Sequence, residues 1–413
     1  MPHVSLRRKE DGGLKILQIT CDLNWGSIGH IAEDIGILAQ REGWEVYVIY
    51  GRDQNASKLT SFKSASKLDV YEHFTEHRLI DNDGLASRYS TKRVIRKINE
   101  IQPDVIHLHN IHDHWLNYEQ LFEYLRCIGK PVIWTQHDCW SYTGGCGYYS
   151  LRGCSQWKTV CLKCPMKRGV LPLVERTKIH FEKKKRLFNA IKNLTLVPVS
   201  HWLEGELRQS FLKEQKIRTI YNGVNTSIFK PCGTVVKKQY GIGNRKLLVG
   251  AATIWSERKG LSDYLVLSKI LPQDVVILLV GLSSHQINRL PDRIIGLQRT
   301  QNIEELAAIY SAADIVLNLS YEETFGLTTV EGLACGTPGI VYNCTASPEL
   351  ITSETGLVVD KGNVTGVAKA VKEILSNGKT SYSKKCRERA VTLFNRDDRF
   401  ADYINLYEEL VSR

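Results

Sequence analysis

Short, nearly all-apolar runs, each followed by a stretch of helical spacing, recur along this 413-residue chain in two successive blocks. LKILQIT (14–20), WEVYVIYG (44–51), DVIHLHN (104–110), PVIWTQHD (131–138) and LTLVPVS (194–200) read as buried strands of the first block. SIGHIAEDIGILAQREG (27–43), STKRVIRKINEIQ (90–102) and NYEQLFEYLRCIG read as helices, the first ending at Gly43 and the second stopped by Pro103. Residues 52–90 are polar and give no clear period. RKLLVGAATI (245–254), DVVILLVG (274–281), RIIGLQRT (293–300), DIVLNLS (314–320), PGIVYN (338–343) and GLVVD (356–360) are the strands of the second block. Its helices are LSDYLVLSKIL (261–271), NIEELAAIYSAA (302–313), TFGLTTVEGLACG and VTGVAKAVKEILSNG (364–378), with Asn302 as N-cap and Glu305 at the capping-box position. Strands that are apolar on both faces belong to parallel sheets covered by helices on each side. Two such blocks predict an α/β chain of two Rossmann-like domains, joined near FKPCGTVVKKQYG (229–241). The length agrees, being too great for one ordinary core.

With 43% apolar and 24% charged residues, the chain has the composition of a soluble globular protein. No run approaches the roughly 20 apolar residues of a membrane span. The stretch MPHVSLRRKEDGG has no apolar signal-peptide region, so a cytoplasmic location is expected. A net charge of +11 favours an anionic partner: nucleic acid, an anionic membrane face or a phosphorylated substrate. Eleven cysteines in such a setting point to metal before disulfides.

The most informative stretch is EETFGLTTVEGLACGTPG (322–339). Ligands of parallel sheets bind beyond the carboxyl ends of strands, and Glu323 lies in the loop after DIVLNLS. The next helix begins near Phe325-Gly326, so the N–H groups of Phe325, Gly326 and Leu327 are placed for an anion such as phosphate. Gly326 allows close backbone approach. Glu331 lies about 7–8 Å further along the helix axis, a fair match to the span from phosphate to ribose, and a carboxylate accepts hydrogen bonds from vicinal hydroxyls. Taken alone, the pair is also what a helix favouring acidic residues at its positive end carries.

The longer segment NIEELAAIYSAADIVLNLSYEETFGLTTVEGLACGTPGIV resembles the core motif, with its E-x7-E signature, of the GT-B glycosyltransferases of family 4 (glycosyl transferases group 1). YNGVNTSIFKP (221–231), VSHWLEGELR (199–208), LLVG (278–281) and ERKGL (257–261) fit the same family, and the resemblance covers residues 14–413. It implies a GT-B architecture, with two Rossmann-like domains whose parallel sheets face each other across a cleft. The implied domains are an acceptor domain over 14–230 with a cysteine-rich insertion at 139–165, a nucleotide-sugar domain over 231–393, and a final helix, 394–413, returning to the first. The implied reaction moves a sugar from a nucleotide diphosphate sugar to a hydroxyl of a saccharide or lipid-linked saccharide, with retention, in cell-surface polysaccharide biosynthesis. Glu331 would bind the ribose and Glu323 the donor sugar. The backbone of Thr324, Phe325, Gly326 and Leu327 would meet the diphosphate or sugar hydroxyls, and Lys259 would neutralise the leaving diphosphate. The family's usual Gly-Arg before this Lys-Gly is missing from ATIWSERKG, and Arg258 is the available substitute. In the first domain, Gly26 and Gly29 of NWGSIGH (24–30) resemble the Gly-rich loop near the donor phosphates. His137, ending PVIWTQHD, would face the reacting sugar, so His137, Glu323 and Lys259 form the implied catalytic set. No catalytic metal is expected, and no Asp-x-Asp element argues otherwise. Two other readings stand beside this one: a GT-B relative that isomerises or hydrolyses a sugar nucleotide, and a basic zinc-bearing nucleic-acid-binding protein. Against the latter, no nucleic-acid motif or basic-aromatic interleaving is present, so no nucleic-acid partner is expected.

Cys146, Cys154, Cys161 and Cys164 form C-x7-C-x6-C-x2-C, whose C-x2-C end is a usual zinc half-site; structural zinc is the first expectation, reduced thiols or an iron–sulfur cluster the others. Cys139 is an extra. His107 and His109 share a strand face, but no acidic partner for them, His112 or His114 is fixed by spacing, and no metal is expected there. His109 and Asn110 are weaker sugar-facing candidates. VLPLVERTKIHFEKKKRLFNAIKNL (170–194) mixes Leu171, Val174, Ile179, Leu187 and Ile191 with Lys178, Lys183, Lys184, Lys185 and Arg186. It reads as a basic amphipathic helix, suited to peripheral contact with an anionic membrane or merely to water.

Overall fold

A computed structural model describes residues 13–165, 174–233 and 235–412. The chain divides into two compact units. The first contains the described residues through Val199, Glu204–Ile220, and the chain from Phe400 onward. The second contains Ser200–Leu203 and Tyr221–Arg399.

The first unit carries seven strands: β1 (Lys15–Thr20), β2 (Glu45–Tyr50), β3 (Thr60–Lys63), β4 (Val105–Leu108), β5 (Val132–Gln136), β6 (Leu194–Pro198) and β7 (Lys216–Ile217). Their order is β3-β2-β1-β4-β5-β6-β7, every pairing parallel, with Gln18 in register with Val48 on one side and His107 on the other. The second unit carries β8 (Lys246–Ala251), β9 (Val275–Val280), β10 (Ile294–Leu297), β11 (Ile315–Asn318), β12 (Gly339–Asn343) and β13 (Gly356–Asp360), in the order β10-β9-β8-β11-β12-β13, again all parallel. The apolar β9, VVILLV, is buried at every position, as a strand covered on both faces must be. Each sheet grows outward in both directions from a central pair, β1/β4 in one and β8/β11 in the other. Those pairs are switch points, beyond whose carboxyl ends a ligand crevice forms. The expected α/β class with two Rossmann-like sheets is therefore what the chain adopts.

The core of the first unit joins Ile16, Val48, Val105, Ile133 and Val197 to Ile31 and Ile35 of helix Gly26–Arg41. Phe400, Tyr403, Leu406 and Tyr407 of helix Arg396–Val411 complete it. The two tyrosine hydroxyls are not left bare: Tyr407 meets His107 Nδ1 at 2.6 Å and Tyr403 accepts from Thr135 at 3.1 Å.

Three local readings need correction. The polar stretch 52–90 holds β3 and helix Lys67–Ile80, which starts from a reciprocal cap between Ser66 and Asp69. At Asn302 only half of the capping box forms. Its side chain accepts from Glu305 N at 2.8 Å, but the Glu305 carboxylate takes the N–H of Gln301 at 2.6 Å instead. The basic amphipathic segment is a shorter helix, Thr177–Asn189, and its apolar side, with Phe181, Leu187 and Phe188, is already covered by protein. Lys184 is wholly buried, donates to the carbonyls of Trp140 (2.8 Å) and Thr143 (3.3 Å), and lies 3.3 Å above the Trp140 ring. Lys183 pairs with Glu119, and Arg186 with Glu119 and Glu123. Most of the charge assigned to a membrane face is thus spent within the unit. Leu171 and the N-terminal residues 1–12, on which the leader reading rests, lie outside the described residues. Among the described residues no helix is long and apolar enough to cross a membrane.

Candidate active site

At the switch point of the second sheet, the loop after β8 carries Arg258 and Lys259, and the loop after β11 carries Glu323 through Gly326. Gly260 lets the first loop close on the second. It adopts φ +70°, and a Cβ there would lie 2.1 Å from the Leu319 carbonyl oxygen. The Tyr321 N–H donates to the Arg258 carbonyl at 2.8 Å, and the Arg258 guanidinium donates to the Glu322 carbonyl at 3.0 Å. Arg258 therefore reaches the acidic loop, although it is adjacent to Lys259. Lys259 Nζ meets Glu323 Oε1 at 2.5 Å. Burial would raise the Glu323 carboxyl, but Lys259 and Arg258 outweigh it and hold the group below its ordinary range, ionised at neutral pH. Asp263 steadies the same loop from helix Leu261–Ile270, accepting from the hydroxyls of Tyr321 at 2.8 Å and Tyr342 at 2.6 Å.

Helix Leu327–Ala334 starts at Gly326 (φ +107°), an N-cap residue with no side chain to bond its first turn. Phe325 is buried beneath it, and Thr324 and Leu327 are partly exposed. Glu331, on the same helix, is partly buried and accepts a hydrogen bond from Tyr310 at 3.1 Å. Burial pushes the carboxyl up to about 7, and the Tyr310 hydrogen bond offsets it only in part. The two acids thus sit in opposite electrostatic settings, Glu323 paired and Glu331 poised.

At the switch point of the first sheet, Gly26 opens the helix after β1, and Gly29, buried in its first turn, accepts from the Asn24 N–H at 3.1 Å. The loops after β4 and β5 line a small cavity with His109, Asn110, His112, Gln136, His137 and Asp138. A hydrogen-bond chain fixes its tautomers. Gln18 Nε2 donates to the Ala32 carbonyl (2.8 Å), so Gln18 Oε1 accepts from His109 Nε2 (2.8 Å); His109 Nδ1 then accepts from His137 Nε2 (3.2 Å). His137 is left with Nδ1 as its acceptor atom. Burial depresses it to about 4 and His107 to about 3, so both rings are neutral. His112 differs. Burial would lower it, but Asp138 (2.8 Å) and Asp113 (3.2 Å) hold it well above the ordinary histidine range, and it carries charge. Spacing could not show the His112–Asp138 pair, whose members come from different strand ends. The adjacency of Asp138 to His137 was the only hint.

Cys146, Cys154, Cys161 and Cys164 line one small pocket together with Gly144, Trp157 and Thr177. A hydrogen bond that the Cys146 thiol donates to Cys164, then burial, raises the Cys146 thiol, and burial pushes Cys161 up to about 11. Cys139 is buried apart from that lining.

Comparison with known proteins agrees with this fold. Residues 31–228 match the family "Glycosyltransferase Family 4", and residues 245–377 match "Glycosyl transferases group 1", so the two matches span most of the chain and fall one in each half. The chain belongs to glycosyltransferase family 4. It is 22% identical over 420 residues to the putative colanic acid biosynthesis glycosyl transferase WcaC of Escherichia coli (strain K12), covering 96% of this chain and 100% of that one. It is 28% identical over 227 residues to the N-acetyl-alpha-D-glucosaminyl L-malate synthase of Bacillus anthracis, covering 52% of this chain and 59% of that protein. Among solved structures, sucrose-phosphate synthase of Thermosynechococcus elongatus superposes with a TM-score of 0.68 at 20% identity, covering 97% of this chain and 99% of that one. Anabaena Alr3699/HepE, in complex with UDP and glucose, does so with a TM-score of 0.68 at 16% identity, covering 96% and 100%. The shared fold is GT-B, and the protein is a glycosyltransferase.

Proposed function

We propose that this family 4 glycosyltransferase takes its sugar from a nucleotide diphosphate sugar and transfers it, with retention at the anomeric carbon, to a hydroxyl of a saccharide or lipid-linked saccharide during synthesis of a cell-surface polysaccharide. The observation that carries this reading is the Lys259–Glu323 pair beside the glycine-started helix Leu327–Ala334, at the switch point of the second sheet. An anion fits that helix start. Glu331 then receives the ribose hydroxyls, Lys259 and Arg258 face the diphosphate, and Glu323 holds the sugar hydroxyls. As the bond from the anomeric carbon to the phosphate oxygen breaks, negative charge gathers on the diphosphate, where Lys259 stabilises it. The acceptor oxygen bonds to the same face of the sugar while its proton passes to the departing phosphate oxygen. Neutral His137, in the cavity beyond β5, faces the reacting sugar. Positioning and charge stabilisation provide the catalysis, with no protein nucleophile. The naming of WcaC for colanic acid biosynthesis and the UDP and glucose bound to HepE support the substrate classes.

The four pocket cysteines suit a structural zinc ion by donor type and by their shared pocket, although no three of their sulfurs lie within 4.8 Å of one another in this structure. Zinc would tie a loop of three short 3-10 turns into one body.

The test is thermal shift with UDP, GDP, ADP and heparin, followed by mass-spectrometric screening of nucleotide sugars and NMR of the product's anomeric configuration. One nucleotide should raise Tm in the wild type and not in Glu331→Ala. A response to heparin alone, or an inverted product, overturns the reading.

A further inference from the structure

Helix Lys67–Ile80, the turn that follows it and the loop after β4 bring together His77, Asp83 and the sequence-distant His114, outside the sites above. Ligand atoms of His77, Asp83 and His114 all lie within 4.8 Å of one another, the one such set among the described residues. His77 Nδ1 and His114 Nε2 share a hydrogen bond of 2.7 Å, which a bound ion would replace. The other nitrogen of His77 lies 3.9 Å from Asp81 Oδ1, too far for a hydrogen bond but close enough for charge attraction. Asp83 is buried and accepts from the Trp140 indole at 3.1 Å.

Two further observations show that the set is aimed. Asp113 and His114 adopt φ +72° and +65° in succession, a left-handed turn uncommon for such residues, and it brings His114 to His77. His73, whose ring lies 5.3 Å from that of His114, is excluded as a ligand because both its nitrogens are taken. Nδ1 meets Ser87 at 2.8 Å, and Nε2 accepts from the Gly84 N–H at 2.9 Å. His77 and His114, by contrast, are partly open to water.

We propose that His77 Nδ1, His114 Nε2 and the Asp83 carboxylate bind one divalent first-row transition-metal ion, zinc being the representative. Two imidazoles and a carboxylate suit zinc, cobalt or nickel and not calcium or magnesium. The His nitrogens must part by about 0.6 Å to sit at a tetrahedral ion's 2.0–2.1 Å bonds, a shift that ring rotation supplies. With three protein ligands, water completes the shell. The ion ties helix Lys67–Ile80 to the loop that carries Asn110 and His112, so its effect on the glycosyltransferase is through that loop's order. The site stands independently of the donor and acceptor assigned above.

The experiment titrates chelator-stripped full-length protein with Co2+ and follows its visible absorption, with Zn2+ competition. Thiolate ligands give an intense near-ultraviolet sulfur-to-cobalt band, so the cysteine pocket is counted separately. His77→Ala and His114→Asn are the variants: the first residue is partly exposed, and asparagine tolerates the left-handed turn. Circular dichroism checks their folding. We expect one equivalent of cobalt without the sulfur band in the wild type, weakened about tenfold or more in each variant, while any sulfur band is unchanged. Cobalt uptake equal in wild type and both variants, or no uptake outside the cysteines, overturns the proposal.

Discussion

Glu323 and Glu331 are alike in sequence and opposite in setting, and two predictions follow from that contrast. Glu331 has its carboxyl raised from 4.5 to about 7, so the folded protein holds a proton there that the unfolded chain releases. Between those values stability falls as pH rises, because burying the charged form becomes the cost of folding. Without nucleotide, Glu331→Gln should remove that fall and be more stable than wild type above pH 7 by about 1–3 kcal/mol, read from urea unfolding across pH. Nucleotide binding should strengthen as pH rises through 7 in the wild type only, and weaken about tenfold in the variant. Lys259→Met should leave buried Glu323 with only Arg258 and a Ser320 hydrogen bond to offset its burial, costing about 2–3 kcal/mol of stability and 10²–10³ in kcat. Adding Glu323→Gln should recover the stability but not the rate, and recovery of both would show the lysine to be only structural. At this scale the sequence identified residue types well and partners badly. The E-x7-E spacing located both acids, but only the fold shows that one meets a lysine and the other a tyrosine. The same limit hid His112–Asp138 and His77–His114, whose members come from separate elements.

Among the elements, apolar strands were the most legible, since a strand buried on both faces needs Val, Ile and Leu at successive positions, as in β9. Helix Lys67–Ile80 was not. Leu68 and Tyr71 are 79% and 70% exposed, so apolar spacing there does not mark a buried face. The basic helix Thr177–Asn189 misled for the converse reason, because a lysine in its midst, Lys184, is core. The loop between β8 and helix Leu261–Ile270 is an element whose shape can be tested. Its Gly260 packs against the end of β11, where a methyl group has no room and the backbone conformation disfavours any side chain. Gly260→Ala should lower Tm, costing about 2–3 kcal/mol, and should raise KM for the donor because Lys259 moves with the loop. An unchanged KM with a lowered Tm would mean that this loop does not set the position of the lysine.

For the whole molecule, right-handed crossovers between parallel strands narrow the strand orders each sheet can take. What chain order does not dictate is that the last helix leaves the unit in which it starts. Helix Arg396–Val411 begins in the second unit, and from Phe400 onward its residues belong to the first. There Phe400, Tyr403, Ile404, Leu406 and Tyr407 are buried against strands from the other end of the sequence. Five large side chains at about 2 kcal/mol each contribute on the order of 10 kcal/mol, comparable with the entire stability of an ordinary domain. Their removal also strips His107 and Thr135 of the tyrosine hydroxyls they bond. A chain ending at Arg399 should therefore lose the first unit's cooperative unfolding transition in calorimetry, and limited proteolysis should cut within it. The second unit keeps its own sheet and the Lys259–Glu323 pair, so the fragment should retain a nucleotide-dependent rise in Tm while transferring no sugar. If the truncated chain instead melts like the full one, this helix is not part of the first core. If the nucleotide response vanishes with the first unit, the donor is not held by the second unit alone.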